Sequence, residues 1–452
     1  MNYSTSPKLL IKASSVWTGT GQSFGQTAVV VEAGKIAAIL SQEQAESLMT
    51  RDYETMIIVN LPNCVLTPGL FNLHTHLDYS QAPAIQENIS LFTWMAQLVA
   101  STRSWSQEDF ARSAQAGAKS AALAGTTYLV DSSYSGQAAE AIAQIGLKGL
   151  VGLELFGLDD SLAERIFDLW QKRYQSLIST ASGALTKAIS SGQVAITIAP
   201  HAPYTVAPDL WARAKAWAAS QDLMLTAHLA ESKEEADWIF SQCPALDDYL
   251  SKVMPPNQNK PVASLLNELT WRGQKRTPTK HLKHFDLLDD NLIAAHCIEL
   301  SHDDRQIFAE SGARAALCRR SNSRLLTGSV AISKFIELDI RFGLGSDSLA
   351  SNSDLSMLKE AATWLAHLTA TEALRLITIK AAEAVNMAEK TGSIAVGKAA
   401  DLAAFPLDSN FWQEDHDQEA IVRRLLEVAP NASDLMVDGK FILRQGKLFA
   451  DS

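Results

Sequence analysis

Cysteine is scarce in this chain, and so is any concentration of positive charge. Four cysteines, Cys64, Cys243, Cys297 and Cys318, are scattered over 452 residues without a C-x-x-C pair. That excludes a disulfide framework, suits a reducing compartment, and leaves small buried apolar side chains as the expectation for them. Lysine and arginine total 39 against 50 aspartates and glutamates, a formal charge of -11 with a pI near 5.4. No basic run offsets this, so a nucleic-acid partner, which needs a cationic face to replace phosphate counterions, is not expected. No uncharged apolar stretch reaches the roughly 18 residues of a membrane span, and the start MNYSTSPKLLIKASSVW has no apolar run behind a basic segment. A cytoplasmic protein is expected. With 47% hydrophobic and 20% charged residues, the chain reads as an ordinary globule long enough for two domains, or for one large domain with an appendage.

Its organising stretch is PGLFNLHTHLDYS at 68–80, an apolar run ending in two histidines one residue apart. Side chains alternate along a strand, so His74 and His76 share a face and can aim at one spot. An isolated match of this kind is weak and needs partners downstream. The middle of the chain, 66–392, alternates short β-branched runs with alanine-rich amphipathic segments such as 111–124 and 208–220, the pattern of repeated β-α units. Eight candidate strands fall at 69–76, 126–131, 149–156, 194–201, 223–228, 292–297, 314–318 and 341–347. Eight such units close into a barrel whose chemistry gathers at the C-terminal strand ends. The candidate strands end in that way: the first in His74 and His76, the fourth in His201, the fifth in His228, the sixth in His296 and the eighth in Asp347.

Residues 1–65 and 393–452 read instead as short strands with turns, and Val437-Asp438-Gly439-Lys440 echoes Val31-Glu32-Ala33-Gly34-Lys35. The expected fold is α/β: a (β/α)8 TIM barrel over 66–392 with a small β-sandwich built from 1–65 and 393–452.

Taken in order and spacing, PGLFNLHTH, HAPYT, HLAES, AAHC and GLGSDSLASN resemble the amidohydrolase superfamily, in its cytosine-deaminase-like branch of mononuclear metal deaminases. The resemblance implies that His74, His76, His228 and Asp347 bind one divalent ion, zinc or else Fe2+. It implies that His296 and Glu231 handle protons and that His201 meets the substrate rather than the metal. VAITIAPHAPYT holds no lysine, so a lysine-bridged dinuclear centre is not expected. The segment Ser90-Leu91-Phe92-Thr93-Trp94-Met95 departs from the related methylthioadenosine/S-adenosylhomocysteine deaminases, where a glutamate before the tryptophan holds the ribose. Here Thr93 takes that place. HTHLDYS followed by F-x-W is similar instead to deaminases of 6-amino-6-deoxyfutalosine. A second departure is Cys318-Arg319-Arg320-Ser321-Asn322, where relatives have Cys-Pro before the arginine.

The residues themselves fit these roles. Imidazoles and a carboxylate suit zinc, and a catalytic site keeps a position for water. Glu231, three residues past His228, could carry a proton to a ring nitrogen, or could be an acid favoured at the start of a helix in ESKEEADW. Asp347 and His296 could orient the attacking water by hydrogen bonds. Arg320, and less so Arg319, could pair with a substrate carboxylate, or could be solvated surface groups. Trp94 could line the pocket or belong with Phe92, Met95 and Leu98 to a buried helix face. Glu154, Asp78 and Asp131 are acids at or near strand ends without an assigned role, as are His281, His284, His302, His367 and His416 among the histidines.

The expected activity is zinc-dependent hydrolytic deamination of an aminated purine-type ring or nucleoside, 6-amino-6-deoxyfutalosine favoured, with a small molecule as partner, no membrane and a homodimer as one assembly. The alternatives are a methylthioadenosine/S-adenosylhomocysteine or guanine deaminase, a triazine or cyclic-amide hydrolase of the same superfamily, and a non-catalytic ligand-binding relative.

Overall fold

The computed structural model describes residues 8–20, 26–52, 56–83, 89–254 and 260–449. Four strands open the chain: β1 (Lys8–Val16), β2 (Gln26–Glu32), β3 (Lys35–Ser41) and β4 (Met56–Pro68). Eight follow with helices between them: β5 (Leu70–Thr75), β6 (Thr126–Ser133), β7 (Lys148–Leu155), β8 (Val194–Pro200), β9 (Leu225–Leu229), β10 (Leu292–His296), β11 (Arg314–Leu317) and β12 (Phe342–Leu344). Four more close it: β13 (Leu402–Pro406), β14 (Asp434–Val437), β15 (Lys440–Arg444) and β16 (Lys447–Leu448).

The middle eight all run parallel, β5 to β8 in one four-stranded sheet and β9 to β12 in another. The sheets meet at both edges. His228 N donates to His201 O at 2.8 Å and Asp347 N donates to His74 O at 2.9 Å, so the strands enclose one interior and the strand ends face one mouth. The join at β12 and β5 requires close approach. A Cβ on Gly345 would lie 2.8 Å from the His74 Cβ, a distance only glycine avoids. Every residue of β5 is buried, as in strands covered on both faces. One covering helix is Gln107–Leu123, started by a Ser106–Asp109 capping box and burying Phe110, Ala114, Ala118 and Ala121.

The chain ends differ from the expected sandwich of two sheets. They form one eight-stranded mixed sheet, in the order β16-β15-β14-β13-β4-β1-β2-β3, with β1 and β4 parallel. The sheet curls until Lys35 bridges Ala399. Alternation gives it two apolar faces. Ile11, Val29, Val31, Leu402 and Ala404 share one cluster, while Ala403, Phe405, Leu435 and Leu443 turn the other way into the core of the barrel. β4 itself runs past residue 65 to Pro68, and the helix Gln418–Val428 packs Val422, Leu425 and Leu426 into the barrel core. An ionic junction ties the parts together: the buried Lys148 Nζ donates to the buried Asp401 at 2.9 Å and to the half-exposed Asp438 at 2.6 Å. All four cysteines are free. Among the described residues no helix is long and apolar enough to cross a membrane.

Candidate active site

Six polar side chains from five strand ends converge at the barrel mouth. His74 and His76 come from the end of β5, His201 follows β8, His228 lies on β9, His296 ends β10 and Asp347 follows β12. Two are held in the left-handed backbone region, His296 at a φ of 71° and Asp347 at 60°. Non-glycine residues rarely adopt that region, and such strain gathers where geometry serves a site.

The hydrogen bonds fix which ring nitrogen faces inward. His76 Nδ1 donates to Ser132 O at 2.8 Å and His228 Nδ1 to His201 O at 2.9 Å, so each Nε2 carries a lone pair. Those two nitrogens stand 3.1 Å apart. Two lone pairs cannot hydrogen-bond each other, and a cation between them resolves the conflict. Both ring nitrogens of His74 are buried with no hydrogen-bond partner among the described residues, a costly state unless a ligand takes up the lone pair. Asp347 Oδ1 lies 3.7 Å from Nε2 of both His74 and His76. Two groups of donor atoms, His74/His76/Asp347 and His74/His228/His296, each fall within 4.8 Å. This nitrogen-and-carboxylate set fits a zinc-like divalent ion.

Burial pushes the His228 and His74 imidazolium forms down, assisted by the neighbouring imidazoles, and neutral rings are the ligating ones. Burial alone would raise the Asp347 carboxyl, but His296, His74, His76 and the Ser321 hydroxyl hold it well below the usual carboxylate range.

Glu231 reaches the same cluster, its Oε1 3.5 Å from His296 Nε2. It lies outside the helix Lys233–Phe240, whose N-cap is Ser232. Glu235 is the acid of that helix start: its carboxylate accepts the N–H groups of Ala230 and Glu231 at 2.9 and 2.8 Å. Glu231 is thereby left with a carboxyl aimed at the mouth, and burial raises it to about 7 even against the pull of His296.

A cavity of about 410 Å³ opens over the cluster, lined by His76, His201, His228, Glu231, His296 and Asp347 together with aromatic and aliphatic walls. Trp94 lines it and donates its Nε1–H to Ala350 O at 3.3 Å, while its ring belongs to a buried apolar cluster. His201 lines it, with Nδ1 bonded to Thr205 Oγ1 at 2.9 Å.

Arg320 does not line the cavity, which corrects the expectation of a substrate contact. Its guanidinium pairs with Asp354 at 2.8 Å and donates to Ser353. Arg319 donates to Thr363 O at 2.7 Å and lies over the Trp364 ring. Both arginines anchor the short helix Arg319–Arg324, which carries two site residues that the sequence reading did not single out. Ser321 Oγ donates to Asp347 Oδ2 at 2.5 Å, and Asn322 Oδ1 accepts from His296 Nδ1 at 2.8 Å. The arginine that does line the cavity is Arg103.

Two unassigned acids also find places behind β5. Asp131 accepts from Thr75 Oγ1 at 2.7 Å and Leu77 N at 2.8 Å, bracketing His76. Asp78 accepts from Ser133 and Ser135.

A parallel eight-stranded barrel with this ligand set and an adjacent acid defines a class, the metal-dependent hydrolases acting on carbon–nitrogen bonds. The chain belongs to the amidohydrolase family, whose model matches residues 65–442. It is 25% identical over 397 residues to a 5-methylthioadenosine/S-adenosylhomocysteine deaminase of Syntrophobacter fumaroxidans, covering 84% of this chain and 80% of that protein. In structure it is similar to the atrazine chlorohydrolase of Arthrobacter aurescens TC1 complexed with zinc, with a TM-score of 0.76 at 19% identity, covering 98% of this chain and 96% of that one. It is also similar to Helicobacter pylori aminofutalosine deaminase, with a TM-score of 0.73 at 20% identity, covering 96% of this chain and the whole of the other.

Proposed function

We propose that this protein is a metal-dependent deaminase that hydrolyses the exocyclic amine of an aminated purine-type ring or nucleoside and releases ammonia, with 6-amino-6-deoxyfutalosine among the substrates. The observation that carries the reading is the placement of Glu231, a cavity-facing acid beside His296 and next to a donor set fit for one ion. His74, His76, His228 and Asp347 would hold that ion, zinc by the chemistry of the donors. An ion bound there supplies Lewis acidity that makes a water nucleophile available at neutral pH.

The chain's own residues do the rest. Glu231 takes a proton on the nucleophile's side and delivers it to the ring nitrogen, and the nucleophile's second proton then passes by the same carboxyl to the amine, which leaves as ammonia; no donor among the described residues holds that carboxyl elsewhere. His296, oriented by Asn322, and Asp347, oriented by Ser321, hold the nucleophile in line. Trp94 and the surrounding apolar walls exclude bulk water from the ring. The deaminase relative named above supports the choice of ring. Arg103, the arginine at the cavity, replaces Arg320 as the counterpart for a substrate carboxylate.

The test is ammonia release by the zinc-loaded protein across adenosine, methylthioadenosine, 6-amino-6-deoxyfutalosine, guanine and aminotriazines. Release from at least one aminated purine is expected. No release from any of them, or displacement of chloride from a chlorotriazine alone, overturns the reading.

A further inference from the structure

Glu154, at the end of β7, lines the cavity yet is only 4% exposed. Its carboxylate receives no hydrogen bond from the described residues. Among the described residues the one basic group within 4 Å of it is His76, whose Nδ1 lies at 3.9 Å, too far for a hydrogen bond, and that nitrogen already serves Ser132 O. Arg173 stands behind Glu154 but directs its donors to backbone, Nη1 to the Glu154 carbonyl at 3.3 Å and Nη2 to the carbonyl of Tyr134. The backbone is fixed and the carboxylate is left over. A buried acid without a donor is unfavourable, and one that opens on a ligand cavity asks for a donor carried by the ligand.

Its place along the rim says which part of the ligand that is. Glu231 and His296 belong to β9 and β10, whereas Glu154 ends β7. Two strand spacings separate β7 from β9, roughly 10 Å. This is the reach from the amine of a purine across both rings to the hydroxyls of an attached sugar. Between the two sites the wall is aromatic, with Phe156 4.8 Å from His201 and His201 4.7 Å from His228 between ring centroids, a surface suited to a flat bicycle. Thr93 supplies no competing acceptor, because it is exposed and its hydroxyl pairs with Ser90 at 2.8 Å.

We propose that Glu154 is a specificity-determining residue of this site, accepting hydrogen bonds from the sugar hydroxyls of a purine nucleoside. The choice of ring rests on the deaminase reading above, and the test therefore avoids turnover.

The probes are inosine and 2′,3′-dideoxyinosine, which the zinc-loaded protein cannot deaminate. Occupancy is read from the fluorescence of Trp94 and Trp105, both in the cavity wall. Wild type is expected to bind inosine at least about tenfold more tightly than the dideoxy compound, the scale of two hydrogen bonds at roughly 0.5–1.5 kcal/mol each. Glu154→Leu is expected to bring that ratio near unity by weakening inosine alone. Glu154→Gln keeps the shape and one acceptor oxygen, and is expected to lower the ratio at least about threefold with zinc content unchanged; it decides the matter if the leucine variant does not fold. Equal binding of the two probes by wild type, binding of neither, an unchanged ratio in Glu154→Gln, or loss of zinc from that variant each overturns the assignment. Ammonia release without this preference leaves the deaminase reading standing alone, and the preference without ammonia release leaves Glu154 standing alone.

Discussion

Ser321→Ala should loosen the metal site without touching any ligand. Asp347 Oδ2 accepts from Ser321 Oγ at 2.5 Å and from Ser351 Oγ at 2.9 Å, and these two bonds turn Oδ1 towards His74 and His76. A hydrogen bond to a charged group contributes roughly 1.5–3 kcal/mol. Ser351 remains in the variant, so the lower end applies, and about 1.5 kcal/mol corresponds to roughly tenfold weaker metal binding. Partners that orient ligands are typically worth about 10- to 100-fold in affinity, so Ser321→Ala/Ser351→Ala together should cost about a hundredfold. The assay is zinc competition against a chromogenic chelator at fixed pH, with the melting temperature followed in parallel. Zinc affinity within about threefold of wild type in both single variants and in the double variant, all of them folded, would show that Asp347 needs neither hydroxyl.

His228→Ala should lose the ion altogether, whereas wild type should carry about one per chain, the number a single catalytic centre holds; elemental analysis showing two ions per wild-type chain, or one retained in the variant, contradicts the ligand set. Glu231→Gln should lower turnover by roughly 10² or more, the scale of general acid–base assistance, while zinc content and melting temperature barely move, because no described donor holds its carboxylate within hydrogen-bond distance. A variant that keeps substantial activity and melts lower would return Glu231 to a structural role. The third test is a pH profile. Burial raises Glu360 from an ordinary 4.5 to about 8, only partly offset by the N–H groups of Arg320 and Arg319, and its Oε2 is buried without a hydrogen-bond partner among the described residues. Between those values the unfolded chain has released the proton and the folded one has kept it, so this group makes stability fall as pH rises from 4.5 to 8. At roughly 1.4 kcal/mol per tenfold change in proton affinity, Glu360→Gln should be more stable than wild type above that window by a few kcal/mol, and close to it at the acid end. Denaturation midpoints that diverge in the opposite direction with pH would reverse the assignment.

The barrel strands and the residues at their ends were legible because both are local signals. An apolar run ending in a histidine or aspartate announces itself within a few residues, and repetition of that pattern at eight places is what a parallel barrel requires. Pairing between distant segments was not legible. The contact of β4 with β13 joins residues on opposite sides of the whole barrel, and nothing in either strand says whether the ends make one sheet or two. Glu154 was visible as a strand-end acid, but whether the protein supplies it a donor depends on where Arg173 points.

Arg320 shows the same limit most sharply. Its position just past a barrel strand is the right place for a substrate contact, and its chemistry is right for a carboxylate. The carboxylate it meets is that of Asp354, on the loop after β12, the last strand of the barrel. Such a pair forms inside the protein before any ligand arrives, and an arginine already bound in a fork has little left to offer a substrate. The departure at Cys318-Arg319-Arg320 therefore changes how a helix is anchored. Arg319 and Arg320 fasten its outer side to Thr363 and Asp354, while Glu360 accepts the Arg320 N–H. Ser321 and Asn322, the next two residues, are then turned inward, where they meet Asp347 and His296. The arginines act on the chemistry only through those two neighbours, so Arg320 is a positioning residue at one remove from the site.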